Sequence, residues 1–176
     1  MAASASASTS YSTAAHSTNN YCYDVFINHR GPDVKKTFAS HLYRRLTLHG
    51  FTAFLDQEEL QVGRNFDPQI KDAIRTASVH VAVFSPTYAQ SEWCLKELVL
   101  MMQSKAPLIP VFHKVKPEEV RHTRGEGNYA QALQSLERKR NHDSQPRHDS
   151  STIENWRNAL FHVAGMSGLE LEAFNQ

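Results

Sequence analysis

The sequence predicts an α/β domain of the doubly wound kind, with a parallel sheet between two layers of helices. Three observations carry that prediction. Short apolar runs alternate with segments of helical periodicity, the runs are rich in β-branched and aromatic residues, and 176 residues suit one sizeable core better than two. Tyr23–Asn28 is the first predicted strand, and Asp33–His49 follows as a helix with Val34, Phe38, Leu42 and Leu46 at helical spacing, ended by Gly50. Thr52–Leu55 is the second strand, Phe66–Thr76 a helix, and Val79–Phe84 the third strand, closed by Ser85-Pro86. Ser91–Ser104 is a helix capped by Ser91. Pro107–Phe112 is the fourth strand, Asn128–Lys139 and Thr152–Met166 are helices, and Gly168–Phe174 is a candidate last strand. Residues 1–20, nearly all Ala, Ser, Thr, Asn and Tyr, are expected to stay disordered. The polar stretch Glu137–Thr152 reads as a helix end running into a surface loop.

Bulk properties narrow the function. Nineteen Lys and Arg against eighteen Asp and Glu leave a formal charge of +1, which gives no electrostatic reason to expect nucleic acid or an anionic membrane as partner. Arg138-Lys139-Arg140 is too short a run to change that. Two distant cysteines, Cys22 and Cys94, suggest neither a disulfide framework nor a metal site. His142-Asp143 and His148-Asp149 lack further ligands at metal spacing, so no metal is expected. No apolar run approaches the roughly 18 residues of a membrane helix, and the N-terminus lacks the pattern of a secretory signal. The compartment expected is the cytoplasm, with nuclear entry left open.

In open parallel sheets ligands bind outside the carboxyl ends of the strands. After the first strand stands His29-Arg30-Gly31-Pro32-Asp33, which reads either as an anion cradle at a helix start or as a plain turn with a solvated Arg30 and Asp33 as N-cap. After the second comes a long loop, Asp56–Asn65, containing Gly63 and Arg64. After the third, Trp93 and Glu97 lie four apart on one helix face. That face is expected to point away from the one carrying Leu95, Leu98, Val99 and Met102. An aromatic beside a carboxylate suits a stacked base and a sugar hydroxyl, but a core Trp93 with a solvated Glu97 is the plainer reading of these residues alone. The fourth edge, His113–Gly127, carries Lys114, Lys116, Arg121, His122 and Arg124 and reads as a solvated loop.

Taken in order, YDVFINHRGPD at 23–33, FASHL at 38–42, GFTAFLD at 50–56, IKDAIRTASVHVAVFSPTYAQSEWCLKEL at 70–98, PVFHKVKPEEVRHTRGEGNY at 110–129 and WRNALFHVAGMSG at 156–168 resemble the TIR domain of plant immune receptors and TIR-only proteins. The resemblance covers residues 21–170, with 171–176 as a short tail. It implies a flavodoxin-like five-stranded parallel sheet. It also implies cleavage of the nicotinamide–ribose bond of NAD⁺, with NADP⁺ as an alternative, on self-association, to nicotinamide and ADP-ribose or a cyclic variant that signals in immunity and cell death. NAD⁺ is then substrate, and no cofactor is implied. By motif position Glu97 is the implied catalytic glutamate, Trp93 the aromatic beside it, Arg30 and Gly31 the pair after the first strand, and Arg64 part of the loop after the second. Ser40 and His41 match a Ser-His pair at a surface through which family members associate, either as homo-oligomers or with other TIR proteins. His29 stands where the family often has Phe.

One carboxylate suffices for such chemistry. Nicotinamide departs neutral from its cationic form, so the acid that a glycosidase supplies to its leaving group is not required. Stabilising an oxocarbenium-like ribose and orienting its hydroxyls is what remains. The loop around Gly63–Arg64 is expected to close the site on self-association. Two enzyme-like rivals fail on residues. A phospho-acceptor receiver needs an acidic cluster after the first strand, where Asn28, His29 and Arg30 stand, and a dinucleotide oxidoreductase needs a G-x-G-x-x-G there. A non-catalytic TIR scaffold is the remaining alternative.

Overall fold

The computed structural model describes residues 23–34, 38–55 and 68–171. Arg64, Gly63, Cys22, the 1–20 tail and the 172–176 end lie outside them, together with what the sequence suggested for each.

Five strands form one sheet: β1 (Tyr23–His29), β2 (Ala53–Leu55), β3 (Ala77–Phe84), β4 (Leu108–His113) and β5 (Leu169–Leu171). All pairings are parallel and the order is β2-β1-β3-β4-β5. This is the flavodoxin-like order, whose topological switch point lies between β1 and β3. The side chains alternate as the pleat requires. Phe26, Ala82, Phe84 and Phe112 enter one core, and Val25, Ile27, Val81, Val83 and Val111 the other.

The first core is covered by α3 (Pro68–Thr76), α4 (Glu92–Gln103), α5 (Pro117–Arg121), α6 (Asn128–Arg138) and α7 (Ser150–Val163). Ser91 caps α4 by accepting from the Cys94 N–H at 3.3 Å, as its sequence position predicts. Asp149 caps α7 by accepting from Thr152 N–H. The second core lies beneath α1 (Gly31–Val34) and α2 (Ser40–Leu48), where Phe38, Leu42, Tyr43 and Leu46 pack only partly buried.

The helix predicted over Asp33–His49 is seen in two described parts, α1 and α2, with residues 35–37 between them outside the described residues. One expectation about elements needs correction. The fourth edge is not all loop. Pro117 opens α5, and the Glu119 side chain reaches back to accept from Lys116 N–H at 2.8 Å, which satisfies a donor at the helix start. The polar stretch is, as expected, a helix end running into a surface loop, which doubles back in an antiparallel bridge between Arg140 and Pro146.

The point at which β5 begins has a physical reason. Its register on β4 begins at Val111, one residue past Pro110, which has no N–H to donate. Gly168 lies against that proline, and a Cβ there would fall 2.6 Å from the Pro110 carbonyl oxygen. No helix among the described residues is long and apolar enough to cross a membrane.

Candidate active site at the β1/β3 edge

Asn28 follows Phe26 by two residues, so it faces the same side of the sheet at the carboxyl end of β1. It is fully buried, and its Nδ2 donates to Glu97 Oε2 at 2.7 Å. The Tyr88 hydroxyl donates to Asn28 Oδ1 and lies 3.1 Å from the Cys94 carbonyl. Tyr88 comes from the 3-10 turn Tyr88–Gln90 that β3 runs into. Burial, then the nearby Cys94 and Glu97, push its phenol well above the ordinary value of 10.0. It therefore stays protonated and holds the Asn28 amide with its N–H turned to Glu97. Asn28 and Tyr88 form a two-member brace that fixes one carboxylate oxygen.

Glu97 itself is 3% exposed. The sequence expectation that the Trp93–Glu97 face points away from the apolar stripe is wrong for Glu97. Cys94, Leu95, Glu97, Leu98 and Met101 form the buried side of α4, and Glu97 occupies a core position on it. Burying a carboxylate costs far more than burying an apolar side chain unless it is bonded, and the Asn28 N–H meets part of that cost. Trp93 is neither a core anchor nor a companion inside the core. It is half-buried, with the Lys96 ammonium 5.0 Å from its ring centroid.

A second polar group stands beside the first. Arg30 Nη1 donates to Asp33 Oδ1 and to Thr87 Oγ1, each at 2.7 Å. The Ser85 and Thr87 hydroxyls also meet Asp33 Oδ2. Asp33 is thus the centre of a cluster joining the end of β1 to the end of β3, and Arg30 is held rather than solvated, its side chain 23% exposed. Gly31 opens α1 next to it. Beneath, the Tyr129 hydroxyl donates to the Ser85 carbonyl at 2.8 Å. On β4, burial first and then Lys114 hold the His113 imidazole below its ordinary value, with Asp33 opposing them.

The structure therefore brings Arg30, Gly31, Trp93 and Glu97 to the carboxyl edge of β1 and β3. Ser40 and His41 stand apart at the start of α2, Ser40 half-buried and His41 exposed. Sequence reasoning missed Asn28, Tyr88, Ser85 and Thr87, and gave Asp33 only a capping role. An Asn closing an otherwise apolar strand was the available signal for the first.

The first turn of α4 is tethered as well. Glu92 accepts from Lys139 Nζ at 3.3 Å and lies 3.2 Å from both Arg147 Nη2 and His148 Nε2. Burial alone would raise its carboxyl, but the His148 bond, with Lys139 and Arg147, holds it below the ordinary carboxylate value.

Residues 22–175 match the family model described as TIR domain. The chain is 45% identical over 98 residues to the probable 2′ cyclic ADP-D-ribose synthase BdTIR of Brachypodium distachyon, a stretch covering 56% of this chain and 44% of that protein. It is 35% identical over 156 residues to TMV resistance protein N of Nicotiana glutinosa, covering 86% of this chain and 13% of that one. The chain therefore spans less than two thirds of the length of either relative. Among solved structures, the TIR domains of the activated Roq1 resistosome share the fold with a TM-score of 0.70 at 34% identity, over 87% of this chain and 90% of theirs. With the parallel β2-β1-β3-β4-β5 sheet and the Glu97 helix at its switch point, these matches establish that the chain belongs to the TIR domain family, of the type found in plant disease-resistance proteins.

Proposed function

We propose that this domain cleaves the nicotinamide–ribose bond of NAD⁺, with NADP⁺ as a second substrate, and that Glu97 is the catalytic carboxylate. The observation that carries the reading is the buried, braced Glu97 at the β1/β3 switch point, on a chain 45% identical over 98 residues to a probable cyclic ADP-D-ribose synthase. The C1′–N bond breaks with its electron pair going to nicotinamide, which leaves neutral. The ribosyl cation is then captured by water, giving ADP-ribose, or by a hydroxyl of the same molecule, giving a cyclic product, and in either case the attacking O–H loses its proton. Glu97 stabilises the cation and orients the ribose hydroxyls. Arg30 and the N–H groups at Gly31 meet the phosphates, with Arg64 joining them, and Trp93 offers a ring face.

At 3% exposure Glu97 must be uncovered before substrate reaches it. Self-association through the α2 surface around Ser40 and His41 supplies that step in this reading, either between copies or with other TIR proteins. The setting is plant immune and cell-death signalling in the cytoplasm or nucleus.

The test is NAD⁺ consumption by purified protein across a concentration series, with products identified by mass spectrometry. Turnover should rise more steeply than in proportion to protein and vanish in Glu97→Ala. Glu97→Gln, which keeps an acceptor for Asn28, should fold and be equally inactive. Absence of turnover in folded, self-associated wild-type protein would favour the non-catalytic scaffold.

A further inference from the structure

Among the described residues only two that are not glycine hold a positive φ, Ser144 in the turn between α6 and α7 and Lys114, at 58°, at the carboxyl edge of the sheet. Left-handed backbone disfavours side chains in general and is tolerated best by Gly, Asn and Asp. The turn accounts for the conformation at Lys114. β4 ends at His113, the Lys114 N–H donates to the Leu171 carbonyl at 3.1 Å, and the chain then runs into α5. The turn does not account for the lysine, since glycine or asparagine would make it with less strain.

The sheet register says where this lysine stands. Phe84 pairs with Phe112, so Ser85 and His113 share the next row, and His29 pairs with Val83. β3 lies between β1 and β4, so the chain leaves β1 through Arg30 two strand spacings, or roughly 10 Å, from the end of β4. Lys114 and Asp33 act in opposite senses on the His113 imidazole, which sets all three in one neighbourhood. There the Arg30 charge is already met, since its Nη1 lies 2.7 Å from Asp33 Oδ1. Lys114 is exposed, and no carboxylate among the described residues forms an ion pair with it. The arginine that the proposed function sets against the substrate's phosphates is thus neutralised by its own neighbour, and a diphosphate arriving there needs a cation that is not. A compact ammonium on a flexible four-carbon stem suits that reach between strands.

We propose that Lys114 supplies the free positive charge that holds the substrate's diphosphate beside Arg30, and that the strain of its backbone is kept for that side chain. This rests on the NAD⁺ reading given above and adds a binding residue to it. Lys114 takes no part in breaking the C1′–N bond.

The test compares Lys114→Asn, Lys114→Arg and, as a control on the same exposed edge, Lys116→Gln in the full chain. In Lys114→Asn the KM for NAD⁺ should rise about fivefold to tenfold with kcat unchanged, because the contact is the same in ground and transition states. Its melting temperature should rise by roughly 2–4 °C as the backbone strain is relieved. A merely structural side chain would not give weaker substrate binding together with a more stable fold. Lys114→Arg and Lys116→Gln should both keep KM near the wild-type value. An unmoved KM or a lower melting temperature in Lys114→Asn, or an equal rise of KM in Lys116→Gln, overturns the Lys114 assignment while wild-type turnover still supports the NAD⁺ reading. Titration calorimetry with ADP-ribose needs no turnover and separates the other case. Wild-type protein that binds ADP-ribose without turnover supports Lys114 if Lys114→Asn loses affinity and overturns it otherwise. Wild-type protein that neither binds ADP-ribose nor consumes NAD⁺ overturns the underlying reading, and the role of Lys114 with it.

Discussion

On one face of the sheet five helices enclose a continuous core in which Trp156, Tyr88, Tyr129, Leu95, Leu98 and Leu133 are almost wholly buried. On the other, among the described residues, α1 and α2 cover a smaller cluster, and α2 has no fully buried residue. The same strands serve both faces, so the difference lies in the helices. The first face is built to hold geometry, and the Glu97 brace sits inside it. The second holds its helix by half-buried contacts, which suits a surface that changes partners. In the function proposed above, the carboxylate then stands on the rigid side and the Ser40-His41 surface on the lightly held one, which would separate positioning from association.

The largest expected effect tests that contrast directly. Trp156→Ala, 2% exposed, should lower unfolding free energy by about 3–5 kcal/mol, whereas Leu46→Ala on α2 should cost about 1 kcal/mol. Urea denaturation of both variants measures the gap, and equal losses would mean the two faces are equally tight. A smaller effect is expected inside the brace. Tyr88→Phe removes the donor to Asn28 Oδ1 and should cost about 1–3 kcal/mol in stability. If the brace positions Glu97, NAD⁺ turnover should also fall, in kcat more than in KM. A stability loss with unchanged kcat would reduce Tyr88 to a packing residue.

The smallest effect is a pH dependence on the rigid side. Burial holds the His80 imidazole below its ordinary 6.5, opposed by its bond to the Ile74 carbonyl. The unfolded chain therefore takes up its proton first. The stability His80 contributes is present above pH 6.5 and is lost as pH falls through the lower folded value. Glu92 acts with the same sign further down, starting from 4.5. Thermal melts from pH 7.5 to 5 should show declining stability, and His80→Asn should flatten the decline. An unchanged slope would assign it to other groups.

Much of this was readable beforehand. Strand runs and helical spacing placed every strand to within a few residues, because apolar periodicity reports burial and burial decides the fold. The motif around Glu97 was readable too. What failed was direction. A glutamate on a helix is assigned to solvent by default, and only the distant Asn28, 69 positions away, reverses that. Ser85, Thr87 and Asp33 escaped for the same reason, since ordinary turn residues acquire meaning only when parallel pairing sets the ends of β1 and β3 side by side. α5 escaped because five residues are too few to display a period.

Pro110 and Gly168 have a bearing on quaternary order. An open sheet edge is a hazard to any domain that meets its own copies, because it invites strand-to-strand growth that has no natural end. At the start of β5, the proline without an N–H and the glycine packed against it confine pairing to Val111 onward, so that part of the edge offers no ladder to extend. The self-association proposed above would then fall to helical surfaces, which can close on a fixed number of subunits and come apart again.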